Sequence, residues 1–361
     1  MAHIKPDFEI SGKIKVVGVG GSGCNAVDHM IHSKVKGVEF IGINTDAQDL
    51  HHSFAPKKVQ IGKQLTKGLG AGMNPEIGRA SAEENSGEIE ESLKGADMIF
   101  IAGGMGGGTC TGAAPVVANI AKNKIGALTI GVVTRPFHFE GQERMRLAEE
   151  GLARLKEEVD AVIVVPNEKL LSIVAKDTTF LSAFVVCDEV LRQAVQGISD
   201  IITIPGIINI DFADVKTVLK DAGTALMGIG VAQGEKRAES AAQLAVNSPL
   251  LDLSIHGAQG VLFAVAGGPD LTMWEIQEAA RIITESVDRQ AKIIFGALHD
   301  PNLKKEEIKI TVIAAKFPQK QDTFNLPLDL GGDKPKIQPR TGKSDDDWES
   351  VPAFLRRAKK V

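Results

Sequence analysis

The run Gly103-Gly104-Met105-Gly106-Gly107-Gly108-Thr109-Cys110-Thr111-Gly112 decides how this chain folds. Before it lies an apolar stretch, Met98-Ile99-Phe100-Ile101-Ala102, which reads as a strand. After it, Ala113-Ala114-Pro115-Val116-Val117-Ala118 reads as the body of a small-residue helix. Glycines let backbone N–H groups come close to an anion, and a helix N-terminus presents the positive end of its dipole. The hydroxyls of Thr109 and Thr111 add partners for phosphate oxygens or for a metal-bound water. The run reads as a phosphate cradle but not as a P-loop, because the chain has no glycine followed four residues later by Gly-Lys-Ser/Thr.

A second glycine turn lies near the start of the chain. Lys13-Ile14-Lys15-Val16-Val17 predicts a strand, Gly18-Val19-Gly20-Gly21-Ser22-Gly23 fits G-x-G-x-x-G, and Cys24 to Ile31 continues as a helix. The next strand, Val38 to Ile43, ends in Asn44-Thr45-Asp46, an acid roughly 20 residues past the loop, as a dinucleotide fold wants. That pattern alone fits a Rossmann oxidoreductase equally well. Two glycine-rich turns in one domain favour a nucleoside triphosphate clasped from two sides. The oxidoreductase reading leaves the second loop unexplained and finds no hydride-transfer site.

The composition is that of a globular protein, with 43% hydrophobic and 24% charged residues over 361, enough for two domains. Lys and Arg number 41 against 46 Asp and Glu, and the net charge of −5 argues against nucleic acid as a partner. Met1 to Pro6 lacks the apolar segment of a signal peptide, and no run approaches the ~18 apolar residues of a membrane span. Cys24, Cys110 and Cys187 have no metal-ligand spacing and read as free thiols in a reducing compartment. The expected location is the cytoplasm.

Strand-like runs alternate with helical stretches from Lys13 to Lys176, which predicts a mostly parallel sheet wrapped by helices. A long helix is expected from Thr178 to Ile202, capped by Asp177 or Thr178. Residues 203–317 are expected to form an α+β unit with its own sheet, with strands at Ala291 to Phe295 and Ile308 to Ala314. The expected divisions are therefore 1–12 (a polar lead-in), 13–176, 177–202 and 203–317. Residues 318–344 follow as a linker without a core, and 345–361 as a short hydrophobic-basic tail.

Gly106-Gly107-Gly108-Thr109-Cys110-Thr111-Gly112 resembles the G-G-G-T-G-[ST]-G signature of the tubulin superfamily, and the surrounding sequence is similar to the FtsZ family of bacterial cell-division GTPases. The likeness runs from about Ile14 to Phe317 and returns at the C-terminus; Cys110 departs from it, standing where the family has glycine. The resemblance implies an α/β, tubulin-like fold. In it a Rossmann-type GTP-binding domain is joined by a long central helix to a smaller α+β, GTPase-activating domain. It also implies GTP and GDP as ligands with Mg²⁺, head-to-tail polymerisation with other copies of the chain, and a division ring at midcell under the inner membrane. A tubulin-like filament for plasmid partition or cell shape is a further reading, and the C-terminal tail speaks against it.

The phosphates are expected between three loops: Gly20, Gly21, Ser22, Gly23, Cys24 and Asn25; Ala71 and Gly72; and Gly104, Met105, Gly106, Gly107, Gly108, Thr109 and Cys110. Glu140 can accept from ribose hydroxyls and Arg144 can brace sugar or phosphate. By resemblance they are the family's sugar-contacting pair, although the same spacing also describes a surface ion pair. Phe184 and Asp188 share a face of the long helix; from the residues alone Phe184 reads as core, and with the resemblance its ring is expected to stack on the base and the Asp188 carboxylate to accept from guanine N1–H and the exocyclic amine. By resemblance Asn25 and Asn167 contact the nucleoside. Cys110 adds a side chain beside the phosphates; either the loop accommodates it with a helical backbone, or nucleotide binding or turnover is weakened.

The pocket contains no obvious general base. Pro205-Gly206-Ile207-Ile208-Asn209-Ile210-Asp211-Phe212-Ala213-Asp214 matches the family's N-x-D-F-x-D loop. Asn209, Asp211 and Asp214 can orient a water or hold a hydrated cation for attack on a γ-phosphate. The resemblance implies that they do so in the pocket of the next subunit. They also read as a capping turn before Val215 to Leu219. The tail resembles the family's C-terminal peptide, which docks onto membrane-tethering and regulatory division proteins, so the membrane is reached only indirectly. Val351, Pro352, Phe354, Leu355, Arg356 and Arg357 are the residues expected to carry that contact.

Overall fold

The structure, a computed structural model, describes residues 12–171, 179–204, 206–248, 254–300, 303–304 and 306–318. The expected linker, the C-terminal peptide and the expected helix caps Asp177 and Thr178 lie outside them.

The first half alternates strands and helices. In chain order they are β1 Ile14–Val19, α1 Gly20–His32, β2 Val38–Asn44, α2 Ala47–His52, β3 Lys57–Gln60, α3 Pro75–Glu84, α4 Ser86–Leu93 and β4 Met98–Gly104. There follow α5 Thr109–Asn119, β5 Leu128–Arg135, α6 Gln142–Glu158, β6 Ala161–Pro166 and α7 Asn167–Leu171. A π-helical stretch, Ile120–Ile125, continues α5. The long helix α8, Phe180–Thr203, then leads to β7 Gly206–Ile208, α9 Phe212–Leu219, β8 Gly223–Gln233 and α10 Arg237–Val246. The described chain closes with β9 Gly260–Gly267, α11 Met273–Glu285, β10 Lys292–His299 and β11 Glu307–Ala315.

Strand composition explains the sheet. β1, β4 and β5 are mostly apolar runs buried along nearly their whole length, as parallel strands covered on both faces must be. They pair in parallel in the order β3-β2-β1-β4-β5-β6. That order reverses direction between β1 and β4, and doubly wound sheets bind ligands in the crevice at such a switch point. Both glycine turns leave from those two strands. On one face Val16, Phe100, Ile130 and Ile163 pack with Val27 and Met30 of α1 and Leu191, Val195 and Ile198 of α8. On the other, Val17, Ile99, Ile101 and Val133 pack with Ala114 and Val117 of α5 and Leu152 and Leu155 of α6.

The second half is not a detached sheet, as the sequence suggested. β8 runs parallel to β6 through Ala161↔Gly223, Val162↔Thr224 and Ile163↔Ala225, so one eleven-stranded sheet continues as β8-β11-β9-β10-β7. The seam forms because the Asp160 carbonyl accepts from Ala222 N and Gly223 N, at 2.7 and 3.0 Å. The Asp160 carboxylate also accepts from Thr129 N at 2.9 Å. Beyond the seam the sheet is mixed, with β11 antiparallel to β8 and β9. The long helix starts later than expected, with Thr179 as its cap accepting from Ser182 N. The strand read at Ala291 to Phe295 extends to His299.

Candidate functional site

Two helices begin over the switch point. α1 starts directly at Gly20, where φ is +73°, a left-handed conformation that glycine takes without strain; a Cβ there would also lie 3.2 Å from Cys110 N. α5 starts after Gly106, where φ is +95° and a Cβ would meet Arg144 O at 2.7 Å. Neither helix has a side-chain cap or an acid in its first turn. By contrast α2, α3, α8, α9 and α11 each open on an Asp, Asn or Thr that accepts from a first-turn N–H. The first N–H groups of a helix have no partner within it, so α1 and α5 direct theirs toward whatever ligand lies between them.

What lies between them is a cavity of about 340 Å³, a volume typical of ligand pockets. Its wall brings together fourteen of the residues that sequence reasoning singled out: Gly20, Gly21, Ser22, Gly104, Met105, Gly107, Gly108, Thr109, Cys110, Glu140, Arg144, Asn167, Phe184 and Asp188. Ser22 Oγ accepts from Gly104 N at 2.7 Å, tying the two turns together. The hydroxyls of Thr45 and Thr109 are 2.7 Å apart and fix the α5 start against the end of β2.

Six expected residues do not line it. Gly23 and Cys24 are buried in α1 and Asn25 is exposed on it. Gly106 shapes the turn through its backbone, donating to Thr111 Oγ1 at 2.9 Å. Ala71 buttresses Gly108, a Cβ on which would come 2.8 Å from the Ala71 methyl, and Gly72 follows it in a left-handed turn. Asp46, read as a ribose-binding acid, instead caps α2 by accepting from Gln48 N and Asp49 N. It is absent from the cavity wall, which weakens the oxidoreductase reading.

The end of the cavity beside α8 is apolar with a few polar groups. Phe184 meets Phe137 edge-on at 5.6 Å, and Phe137 stacks on Phe139 at 5.0 Å. Burial pushes the Asp188 carboxyl up to about 6, opposed by the charge of His29. The Asn167 side-chain carbonyl is buried and finds no hydrogen-bond partner among the described residues. Glu140 and Arg144 form the i, i+4 ion pair, with Arg144 Nη1 2.5 Å from Glu140 Oε2, and both residues line the cavity. Glu140 Oε1 also accepts from Phe137 N at 2.9 Å, which holds it in place.

Sequence reasoning missed Thr134, Pro136, Cys187 and Leu191 in the wall. The signal for two of them was present: Phe184, Cys187, Asp188 and Leu191 form one helical stripe at three- and four-residue spacing. Cys110 sits in the first turn of α5 with a negative φ, so its side chain is accommodated by helical backbone. Its sulfur packs over Gly103, 2.5 Å from where a Cβ on that glycine would be, and burial pushes the thiol up to about 12.

Asn209, Asp211 and Asp214 are not in the cavity wall of their own chain. Asp211 caps α9 by accepting from Asp214 N at 2.8 Å, and Asn209 Oδ1 accepts from Gly206 N at 2.6 Å. The capping reading therefore holds, with Asn209 and Asp211 exposed. Among the described residues no group of three or more His, Cys, Asp or Glu could hold a metal ion, and no helix is long and apolar enough to cross a membrane.

A doubly wound sheet with two uncapped helix starts over one cavity defines the class, the nucleotide-binding α/β proteins. Residues 13–175 match the model of the Tubulin/FtsZ family GTPase domain, and residues 223–318 that of the FtsZ family C-terminal domain. An empty FtsZ dimer from M. jannaschii is 48% identical, with a TM-score of 0.79 over 84% of this chain and 88% of that one. CetZ2 from Haloferax volcanii, solved as a GTPγS-bound protofilament, has a TM-score of 0.73 over 84% of this chain and 92% of that one. At 23% identity it shares the fold alone. The chain belongs to the FtsZ family of tubulin-like GTPases.

Proposed function

We propose that this chain binds GTP in the cavity between α1, α5 and α8 and hydrolyses it only when copies stack head to tail. Asn209, Asp211 and Asp214 of one copy would complete the cavity of the next. The observation that carries the reading is the separation of parts. The cavity has helix N-termini and hydroxyls for phosphate, and its wall carboxylates, Glu140 and Asp188, are taken up by sugar and base, while the Asn209–Asp214 turn, with Asn209 and Asp211 exposed, has carboxylates and no phosphate site. A site divided this way is completed by a heterologous contact, which repeats along a filament. The dimeric form of the related FtsZ structure supports self-association.

Within one chain the roles divide by chemistry. Backbone N–H groups of Gly20 to Ser22 and Gly107 to Cys110 take the phosphates, Glu140 and Arg144 the sugar, and Phe184 and Asp188 the base, with Asn25 nearby on α1. Asn167 offers its orphaned carbonyl to a donor of the nucleoside. The site's own donors are hydroxyls and backbone groups rather than a carboxylate cage, which fits Mg²⁺ arriving with the nucleotide beside Ser22 and Thr109. Bound there, the ion would neutralise charge on the phosphate oxygens. From a neighbouring copy, Asp211 and Asp214 would orient the attacking water, and Asn209 would hold their turn in shape through Gly206 N.

We assign residues 13–176 and 203–317 to two domains joined through the long helix α8. The filament would serve as a division ring in the cytoplasm at midcell of a bacterial cell, tethered through Val351, Pro352, Phe354, Leu355, Arg356 and Arg357. Asp211→Ala is expected to bind GTP as the wild type does and to release phosphate at least 100-fold more slowly. Wild-type turnover by that variant would refute the shared site.

A further inference from the structure

Glu189 follows Asp188 on α8 but turns away from the cavity, toward α1. His29 Nε2 lies 3.0 Å from Glu189 Oε2. Arg192 Nε donates to the same oxygen at 2.7 Å, while Arg192 Nη2 and Gln193 Nε2 donate to Oε1 at 2.5 and 2.8 Å. Burial works to raise the Glu189 pKa, but hydrogen bonds from Arg192, His29 and Gln193 hold it down to about 2. The carboxylate is therefore ionised and can only accept, so His29 must be the donor in its pair.

The cluster joins two helices with different tasks. α1 begins at Gly20 on the phosphate side, and His29 lies about two and a half turns further along it. α8 carries Phe184 and Asp188 on the base side, and Glu189 is the residue after Asp188. Arg192 and Gln193 belong to α8 itself, so among the four donors only His29 reaches across to α1. Two hydrogen bonds from guanine to one carboxylate tolerate only about 0.5 Å and 10–20° of error. A rotation of α8 by that angle, with its carboxylates roughly 6 Å from the helix axis, would move Asp188 by ~1–2 Å. A single cross-helix bond next to Asp188 is well placed to fix that rotation.

We propose that His29 is a positioning residue for guanine selection: by donating to Glu189 it locks α8 against α1 in the rotation that presents Asp188 to the base. The inference rests on the reading of the cavity as a GTP site with Asp188 on guanine. Inosine lacks the exocyclic amine, so the preference for GTP over ITP reports on the aim of the carboxylate.

The test measures dissociation constants for GTP and ITP with the full chain and with His29→Ala, His29→Gln and Asp188→Asn. Asp188→Asn should abolish the GTP preference; if it does not, the base reading fails and the inference with it. His29→Ala should weaken GTP about tenfold and ITP far less, while His29→Gln, whose amide can still donate, should retain most of the preference. A merely structural role would weaken both nucleotides equally, and an equal loss or no loss in His29→Ala overturns the proposal. If His29→Ala does not fold, Glu189→Gln must shrink the preference instead, and an unchanged ratio in that variant overturns it equally.

Discussion

Asp188 holds a carboxyl where burial disfavours its charge, with a value of about 6 against an ordinary value near 4. Guanine needs the ionised form, because only that form accepts from both donors. Lowering the pH through 6 should therefore weaken GTP binding, approaching a tenfold loss for each further unit, and Asp188→Asn should show no such step. The stability effect has the opposite sign: an acid with a raised folded pKa costs the fold nothing below its ordinary value near pH 4, and the penalty builds as pH rises to about 6 and is complete above it. A binding constant that stays level from pH 7 to pH 4.5 would remove Asp188 from the base site. At this scale the sequence was informative wherever chemistry dictates residue type, as in the glycine turns and the Phe184–Asp188 stripe. It was misleading at Asp46, where an acid at the right spacing turned out to be a helix cap. A short acidic side chain after a strand serves either purpose, and only the start of α2 at the next residue decides between them.

Helices and strands were legible where periodicity is strong. The β1-α1 and β4-α5 units follow directly from an apolar run, a glycine turn and a small-residue helix. The join between the halves was not legible, because it is made at Asp160, whose backbone carbonyl, a group every residue has, accepts from Ala222 N and Gly223 N. Its carboxylate accepts from the buried Thr129 N and lies 3.2 Å from Lys122 Nζ, which itself is 3.0 Å from Asp221. Lys122 stands on the π-helical stretch after α5, a local irregularity with no sequence signature here. Asp160→Ala would leave Thr129 N buried without its acceptor and should cost about 2 kcal/mol. Urea unfolding should show that loss, and hydrogen exchange should rise first at Ala161, Val162 and Ile163. Unchanged stability and exchange would mean that the seam is held by backbone pairing alone.

Taken whole, the molecule carries its proposed phosphate and base site on one set of elements and its candidate water-orienting residues on another. Family resemblance in the sequence supplied the idea that these belong together across subunits; composition and periodicity could not, since an interface between copies leaves no period. The exposed apolar residues Leu69, Ile207, Met273 and Trp274 are the kind of surface such stacking would cover. The decisive measurement is steady-state phosphate release per subunit in GTP and Mg²⁺ as protein concentration is raised, with light scattering read in parallel. The shared site predicts negligible turnover below a threshold concentration and a steep rise above it, coincident with assembly. A rate per subunit that stays constant from the monomer upward would place the whole active site within one chain and contradict the account.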